Sequence, residues 1–204
     1  MIVHRNPKSL PRHEYIRMPI RYSSGIRISL LFLPSHITMN NIANKPPLFF
    51  QSVVPFDSLA HKNFSVPAQI PDYFFAAKTD IIPLVAAEVT EALRNFALVF
   101  IKDPTSPAPT LAALVGTGEN ENLFVDDQGQ WRAGCYVPAW VRRYPFMLAR
   151  LTPEAQDLSL CFDPTTDLIG EFDEGTELFD GESPTDACKA TLSFCEQFEM
   201  AGQK

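Results

Sequence analysis

Between Trp131 and Phe146 the chain reads WRAGCYVPAWVRRYPF, sixteen residues that hold five aromatic rings and three arginines. Aromatic faces attract guanidinium groups, and a guanidinium meets a carboxylate or phosphate through two parallel N–H···O bonds. Trp131, Tyr136, Trp140, Arg142, Arg143 and Tyr144 therefore have the composition of a site for a small anion or a protein partner. Trp140 and Tyr144 stand one helical turn apart, which puts both on one helix face. The same residues suit a second role, in which the rings fill a small domain's core and the arginines cover its rim.

Other residues offer narrower chemistry. Glu88 borders the apolar stripe of a predicted helix, one turn from Leu84 and from Ala92. A half-buried carboxylate there is either a structural ion pair, with Arg142 or Arg143 as partner, or a general acid or base. His61 is the only histidine after residue 38, and Cys135, just ahead of a helix start, is the thiol best placed to act with it as a nucleophile. No local signature joins the two. Eight acids fall between Asp163 and Glu182, but a calcium loop starting at Asp163 would need an acid where Thr165 stands and a glycine where Leu168 stands. A solvated acidic loop is the expectation, with no metal site.

The cysteines are Cys135, Cys161, Cys188 and Cys195, without a CxxC pair or histidines at zinc-site spacing. Cys188 and Cys195 lie on one predicted helix, where a rise of about 1.5 Å per residue sets them roughly 10.5 Å apart, beyond the reach of a disulfide. Reduced core thiols are expected, which favours a cytoplasmic address. Nothing in the sequence implies a cofactor.

Charge divides the chain. Residues 1–38 carry six basic side chains and one acid, for +5, which leaves −12 on the remainder of a chain whose formal net charge is −7. An acidic body repels phosphate backbones, so nucleic-acid binding is not expected. The longest apolar run, Ile26 to Pro34, is interrupted by Arg27 and Ser29 and is far short of the roughly 20 residues that span a bilayer. It comes too late and is too short for a secretory signal. Residues 1–38 are expected to be an extension outside the fold, with Met39 as the true start and residues 39–204 as one domain.

The elements that must position these side chains follow from pattern. Leu48–Val54 and Tyr73–Ala77 read as strands. Pro83 opens a central amphipathic helix with Val85, Val89, Ala92, Leu93 and Phe96 at three- and four-residue spacing. Ala97–Ile101, Leu111–Val115 and Asn122–Val125 read as strands, and Asp126-Asp127-Gln128-Gly129 as a turn that makes a hairpin into Trp131. Pro138 starts a short helix that Pro145 ends. Phe146–Leu151 and Leu158–Phe162 alternate like strands, and Ser183-Pro184-Thr185-Asp186 reads as a capping box, with Pro184 at the first position of a C-terminal helix that runs to about Met200. Without regular βαβ alternation, this order predicts an α+β single domain around a mostly antiparallel, mixed sheet.

In these segments the chain resembles the SapC family named from an S-layer locus, which is distinct from the peptide-transporter permease of the same name. The resemblance runs from about Phe49 to Phe198 and rests on VVPFDSLAHKNFSV, FFAAKTDIIPLVAAEVTEALRNFALVF, ENLFVDDQGQW, YVPAWVRRYPF, LSLCFD and EGTELFDGES. It departs from the family pattern at Phe96-Ala97, where Tyr-Pro is common, and at Cys135. The resemblance implies a bacterial, envelope-associated setting and carries no chemistry over. The expected function is a SapC-like accessory or binding protein of surface-layer or outer-envelope systems, its partner a protein or a small anionic ligand. The alternative is a small-molecule transferase for an acyl or amino compound, with Glu88 or Tyr144 handling the proton in an aromatic–arginine pocket.

Overall fold

A computed structural model describes residues 46–102 and 108–202 of the chain. The expectations for residues 1–38 and for Met39 lie outside these residues. In chain order the elements are β1 (Val54–Pro55), β2 (Ser65–Val66), a 3-10 turn at Phe74–Ala76, β3 (Ile81–Pro83), and a second 3-10 turn at Ala86–Glu88 that runs into α1 (Val89–Ala92). There follow β4 (Ala97–Ile101), β5 (Thr110–Leu114), α2 (Ala139–Arg142), β6 (Phe146–Ala149) and β7 (Ser159–Phe162). Three short strands, β8 (Thr176–Glu177), β9 (Phe179–Asp180) and β10 (Ser183–Pro184), lead to α3 (Asp186–Gly202). There are two three-stranded sheets, β1-β7-β6 and β3-β5-β4, and two ribbons, β2-β8 and β9-β10, and every strand pairing among the described residues is antiparallel. The fold is α+β. No helix among the described residues is long and apolar enough to cross a membrane.

Side-chain alternation makes β6 and β7 the centre of the molecule, because all eight of their residues are buried. Phe146, Leu148, Leu160 and Phe162 share one core with Cys188, Leu192 and Cys195 of α3. Met147, Ala149 and Cys161, on the opposite face, share another with Phe50, Tyr144 and Leu168. A third core gathers Ile82, Phe96, Ala113 and Val115 under the other sheet, and Val141 of α2 enters it. Helix α3 begins later than predicted: Ser183–Pro184 pairs with Phe179–Asp180 as a strand instead of capping the helix, and the cap is Thr185, whose hydroxyl accepts the Cys188 N–H at 3.3 Å.

The central helix is shorter than its spacing suggests. Ile81, Ile82 and Pro83 pair with Leu114, Ala113 and Ala112, so the chain is extended through Pro83, and β4 claims it again at Ala97. Only one 3-10 turn and one α turn fit between them, and Leu93 remains 60% exposed. Of the predicted strand at residues 48–54 only Val54 is kept, since Phe49 has φ +78° and turns the chain. Residues 73–77 coil into a 3-10 turn instead of a strand, and residues 122–125 contribute a lone bridge, Val125 to Trp131. That bridge closes the predicted hairpin. Gly129 there has φ +78°, and a Cβ would lie 2.7 Å from that of Asp72, so no other residue fits the turn.

The turn after β1 gives His61 a structural role. The His61 Nδ1 accepts the Asp57 N–H at 3.0 Å, and its ring packs on Phe56, Phe64 and Phe162. Burial holds its pKa below 6.5, against the pull of the Asp57 carboxylate. A depressed pKa means that the unfolded chain binds the proton first. The stability contributed by neutral His61 is therefore complete above pH 6.5 and is lost as pH falls towards the folded-state pKa. Glu196 and Glu199, whose pKa values burial raises, act in the opposite direction at lower pH. The melting temperature of His61→Gln should accordingly depend less steeply on pH just below 6.5 than that of the unsubstituted chain; parallel curves would show that the ring titrates freely.

Candidate functional site

Helix α2 is a single turn that cannot stand on its own, and its sequence explains why it needs help. Pro138 takes the N-cap position, with φ −56° and ψ 146°, and offers no side chain to cap the free amides behind it. Glu88 supplies the cap from a distant segment. Its Oε1 accepts the Ala139 N–H at 2.6 Å and the Tyr136 hydroxyl at 2.8 Å, while Oε2 accepts the Val85 N–H at 3.0 Å. Glu88 is only 5% exposed, and neither Arg142 nor Arg143 is its ion-pair partner. The expected arginine pair is corrected to a tyrosine and two backbone amides. Arg142 reaches the carboxylate only through Tyr136, whose hydroxyl accepts from Nη2 at 3.2 Å. Burial, then the bond to Glu88, raises the pKa of Tyr136.

Consecutive residues of a helix point about 100° apart, so the side chains of α2 and its exit serve different neighbours. Val141 enters the core beneath β3-β5-β4. Trp140 meets Phe198 of α3 edge to face. Arg143, 4% exposed, lays its guanidinium over Trp140 and Phe198, 4.1 and 4.4 Å from their ring centres, and reaches Glu199 at 3.5 Å. Its Nε is buried without a hydrogen-bond partner. An unmade buried donor costs about 1–3 kcal/mol, which the two ring contacts, on the order of 0.5–2 kcal/mol each, offset. Burial lowers the Arg143 pKa and raises that of Glu199, so desolvation outweighs the attraction across this long pair.

Tyr144 belongs to the core. Its ring stacks on Phe75 at 4.4 Å and meets Phe49 and Phe50 edge to face. Its hydroxyl donates to Asp163 Oδ2 at 3.4 Å, and burial raises its pKa. Asp163 is fully buried and also accepts the Gln51 N–H at 2.7 Å, the Thr165 N–H at 3.0 Å and the Thr165 hydroxyl at 2.7 Å. The first acid of the predicted solvated loop is thus an internal anchor. Its signal in the sequence is the Asp-x-Thr spacing of a side-chain turn directly after a strand.

Between the exit of α2 and one face of α3 lies a cleft of about 330 Å³. Arg142, Arg143 and Tyr144 line one side, Ala190, Thr191 and Phe194 of α3 another, and Val66, Pro67, Ile70 and Leu168 form apolar walls. No acidic residue lines it. Arg142 is the exposed cation there. Its guanidinium sits 5.1 Å from the Phe194 ring centre and 5.7 Å from that of Tyr136, and its Nε donates to the Val137 carbonyl at 3.0 Å. Phe194 and Phe198 are one turn apart on α3, and each carries one of the two arginines.

The structure therefore brings Tyr136, Trp140, Arg142 and Arg143 together around α2, buries Tyr144 and packs the half-buried Trp131 against other rings. Trp131 packs on Tyr73 and Phe124, and its Nε1 donates to the Tyr136 carbonyl. Reading the sequence alone missed Phe194, Phe198 and Glu199, because nothing in their spacing shows which element they face. Burial pushes the thiols of Cys161 and Cys195 up to about 12 and that of Cys188 to about 11, so these three are inert at neutral pH. Cys135 is half-buried, and the lone pair of His61 that a thiol would need is occupied by the Asp57 amide. Among the described residues no three His, Cys, Asp or Glu side chains converge as metal ligands.

No curated protein and no solved structure matches the chain. The family model for SapC matches residues 56–204, which takes in the His61 turn, every strand after β1, α2 and the cleft. This chain belongs to the SapC family.

Proposed function

We propose that this chain is a binding protein that works with bacterial surface-layer or outer-envelope systems from the cytoplasmic side, and that it takes a small anionic ligand in the cleft between α2 and α3. The observation that carries this reading is Arg142, an exposed guanidinium fixed by two rings and two hydrogen bonds beside apolar walls that include no acid. A cation held in place before binding loses little conformational entropy when an anion arrives. The setting follows from the resemblance to SapC proteins.

The transferase alternative asks Glu88 or Tyr144 to move a proton. The Glu88 carboxylate is occupied by three donors, and the Tyr144 hydroxyl is bonded to Asp163 with its pKa raised. Both arrangements favour a structural role, and binding is the reading we prefer.

The test is to purify the full chain from its native cells and analyse what accompanies it by mass spectrometry, alongside Ala190→Phe, which fills the cleft. A small acid present with the unsubstituted chain and missing from the variant is expected. Proteins that accompany both forms equally, with no small molecule in either, would contradict the reading.

A further inference from the structure

The chemistry of the cleft narrows the ligand beyond its sign, granted that the cleft is where the ligand binds. A guanidinium has five N–H donors. In Arg142 one is given to the Val137 carbonyl and one to the Tyr136 hydroxyl, which leaves three without a partner among the described residues, enough for one bidentate contact. Arg143 adds no second free charge, since Glu199 and two ring faces already engage it. One cation with one free fork matches one carboxylate. A phosphate dianion would keep an excess charge against walls that cannot hydrate it.

Most of the rest of the cleft is apolar. Val66, Pro67, Ile70, Leu168 and Phe194 offer no hydrogen-bond donor or acceptor from their side chains, so a polyhydroxylated or zwitterionic body would be stripped of water without replacement. A volume of about 330 Å³ stands at the small end of the roughly 300–1,000 Å³ usual for ligand pockets, which excludes a folded partner or a long peptide. We propose that the cleft binds an amphipathic monocarboxylic acid, its carboxylate on Arg142 and its hydrocarbon body along Val66, Ile70 and Phe194.

Calorimetric titration of the full chain with octanoate, octan-1-ol and inorganic phosphate tests this. Octanoate should bind at least tenfold more tightly than either of the others. Arg142→Gln should weaken octanoate at least tenfold and leave octan-1-ol unchanged, while Ala190→Phe should abolish both without moving the melting temperature. Thr191→Trp takes the place of Ala190→Phe if that variant unfolds. Equal binding of octanoate and octan-1-ol, unaffected by Arg142→Gln, would overturn carboxylate recognition and leave the cleft as the ligand site. Phosphate binding as tightly as octanoate would overturn the apolar body and leave an anion site. Binding of no probe, or binding indifferent to a filled cleft, would overturn the cleft itself.

Discussion

Replacing Glu88 with alanine should lower the free energy of unfolding by about 3–5 kcal/mol, since a buried donor left without its acceptor costs about 1–3 kcal/mol and several are left so together. Three donors lose their acceptor at once: the amides of Val85 and Ala139 and the hydroxyl of Tyr136. The Ala139 amide is the most costly, because Ala139 is buried and Pro138 has no side chain that could take over the cap. For a domain of this size each kcal/mol lowers the melting temperature by roughly 2–4 °C, so a loss of roughly 10 °C is expected by calorimetry. Glu88→Gln keeps one carbonyl oxygen and should lose about half as much. If Glu88 and Tyr136 act as one unit, Glu88→Ala combined with Tyr136→Phe will cost less than the two separate losses together. An alanine variant as stable as the unsubstituted chain, yet defective in cells, would make Glu88 a functional residue.

Asp163→Ala should cost about 2–4 kcal/mol, measured by chemical denaturation. The carboxylate is fully buried and ties together three separate parts of the chain: Gln51 ahead of β1, Tyr144 at the exit of α2, and Thr165 after β7. Gln51 and Thr165 are exposed, and water can replace part of what they lose. The Tyr144 hydroxyl is buried and cannot recover in the same way, so the expected loss is smaller than that for Glu88. Asp163→Asn should fall between, because an amide nitrogen would face either the Gln51 or the Thr165 donors. A loss below about 0.5 kcal/mol would show that these contacts are not made in solution.

Local signals account for what was legible in the sequence. Strand β4 has its predicted limits, Ala97–Ile101, because Val99, Phe100 and Ile101, all of high strand preference, lie between a helical turn and a proline-rich loop. Both β6 and β7 fall within their predicted stretches, whereas α3 starts beyond the predicted Ser183 cap because Ser183–Pro184 pairs with β9. Contacts between remote segments were not legible. Glu88 meets Ala139 across 51 residues and Asp163 meets Gln51 across 112, distances over which residue spacing carries no information. The central helix failed for a related reason: its apolar spacing is real, but pairing of Ile81–Pro83 with β5 outweighed local helix preference.

The aromatic–arginine stretch shows both outcomes at adjacent positions. Its composition correctly marks a place where rings and guanidinium groups meet, and the packing role that it suggests is present. Trp131, Trp140, Arg143 and Tyr144 hold the domain together, whereas Arg142 is left at the edge of the cleft. Helical geometry alone predicts that two consecutive arginines diverge. Which of them faces the interior depends on where α3 lies, and that is decided by packing of Phe194 and Phe198.

The division of labour between these two arginines is the centre of the account, and a side-by-side measurement of unfolding free energy and octanoate affinity in Arg142→Ala and Arg143→Ala tests it most directly. Arg143→Ala should lose about 3 kcal/mol of stability, since it removes a buried guanidinium from two rings and strands Glu199. Arg142→Ala should lose no more than about 1 kcal/mol, because its hydrogen bonds are exposed and water replaces them, but should lose octanoate binding. Equal destabilisation by the two substitutions, or octanoate affinity unchanged in Arg142→Ala, would contradict the assignment of Arg143 to the fold and Arg142 to the ligand.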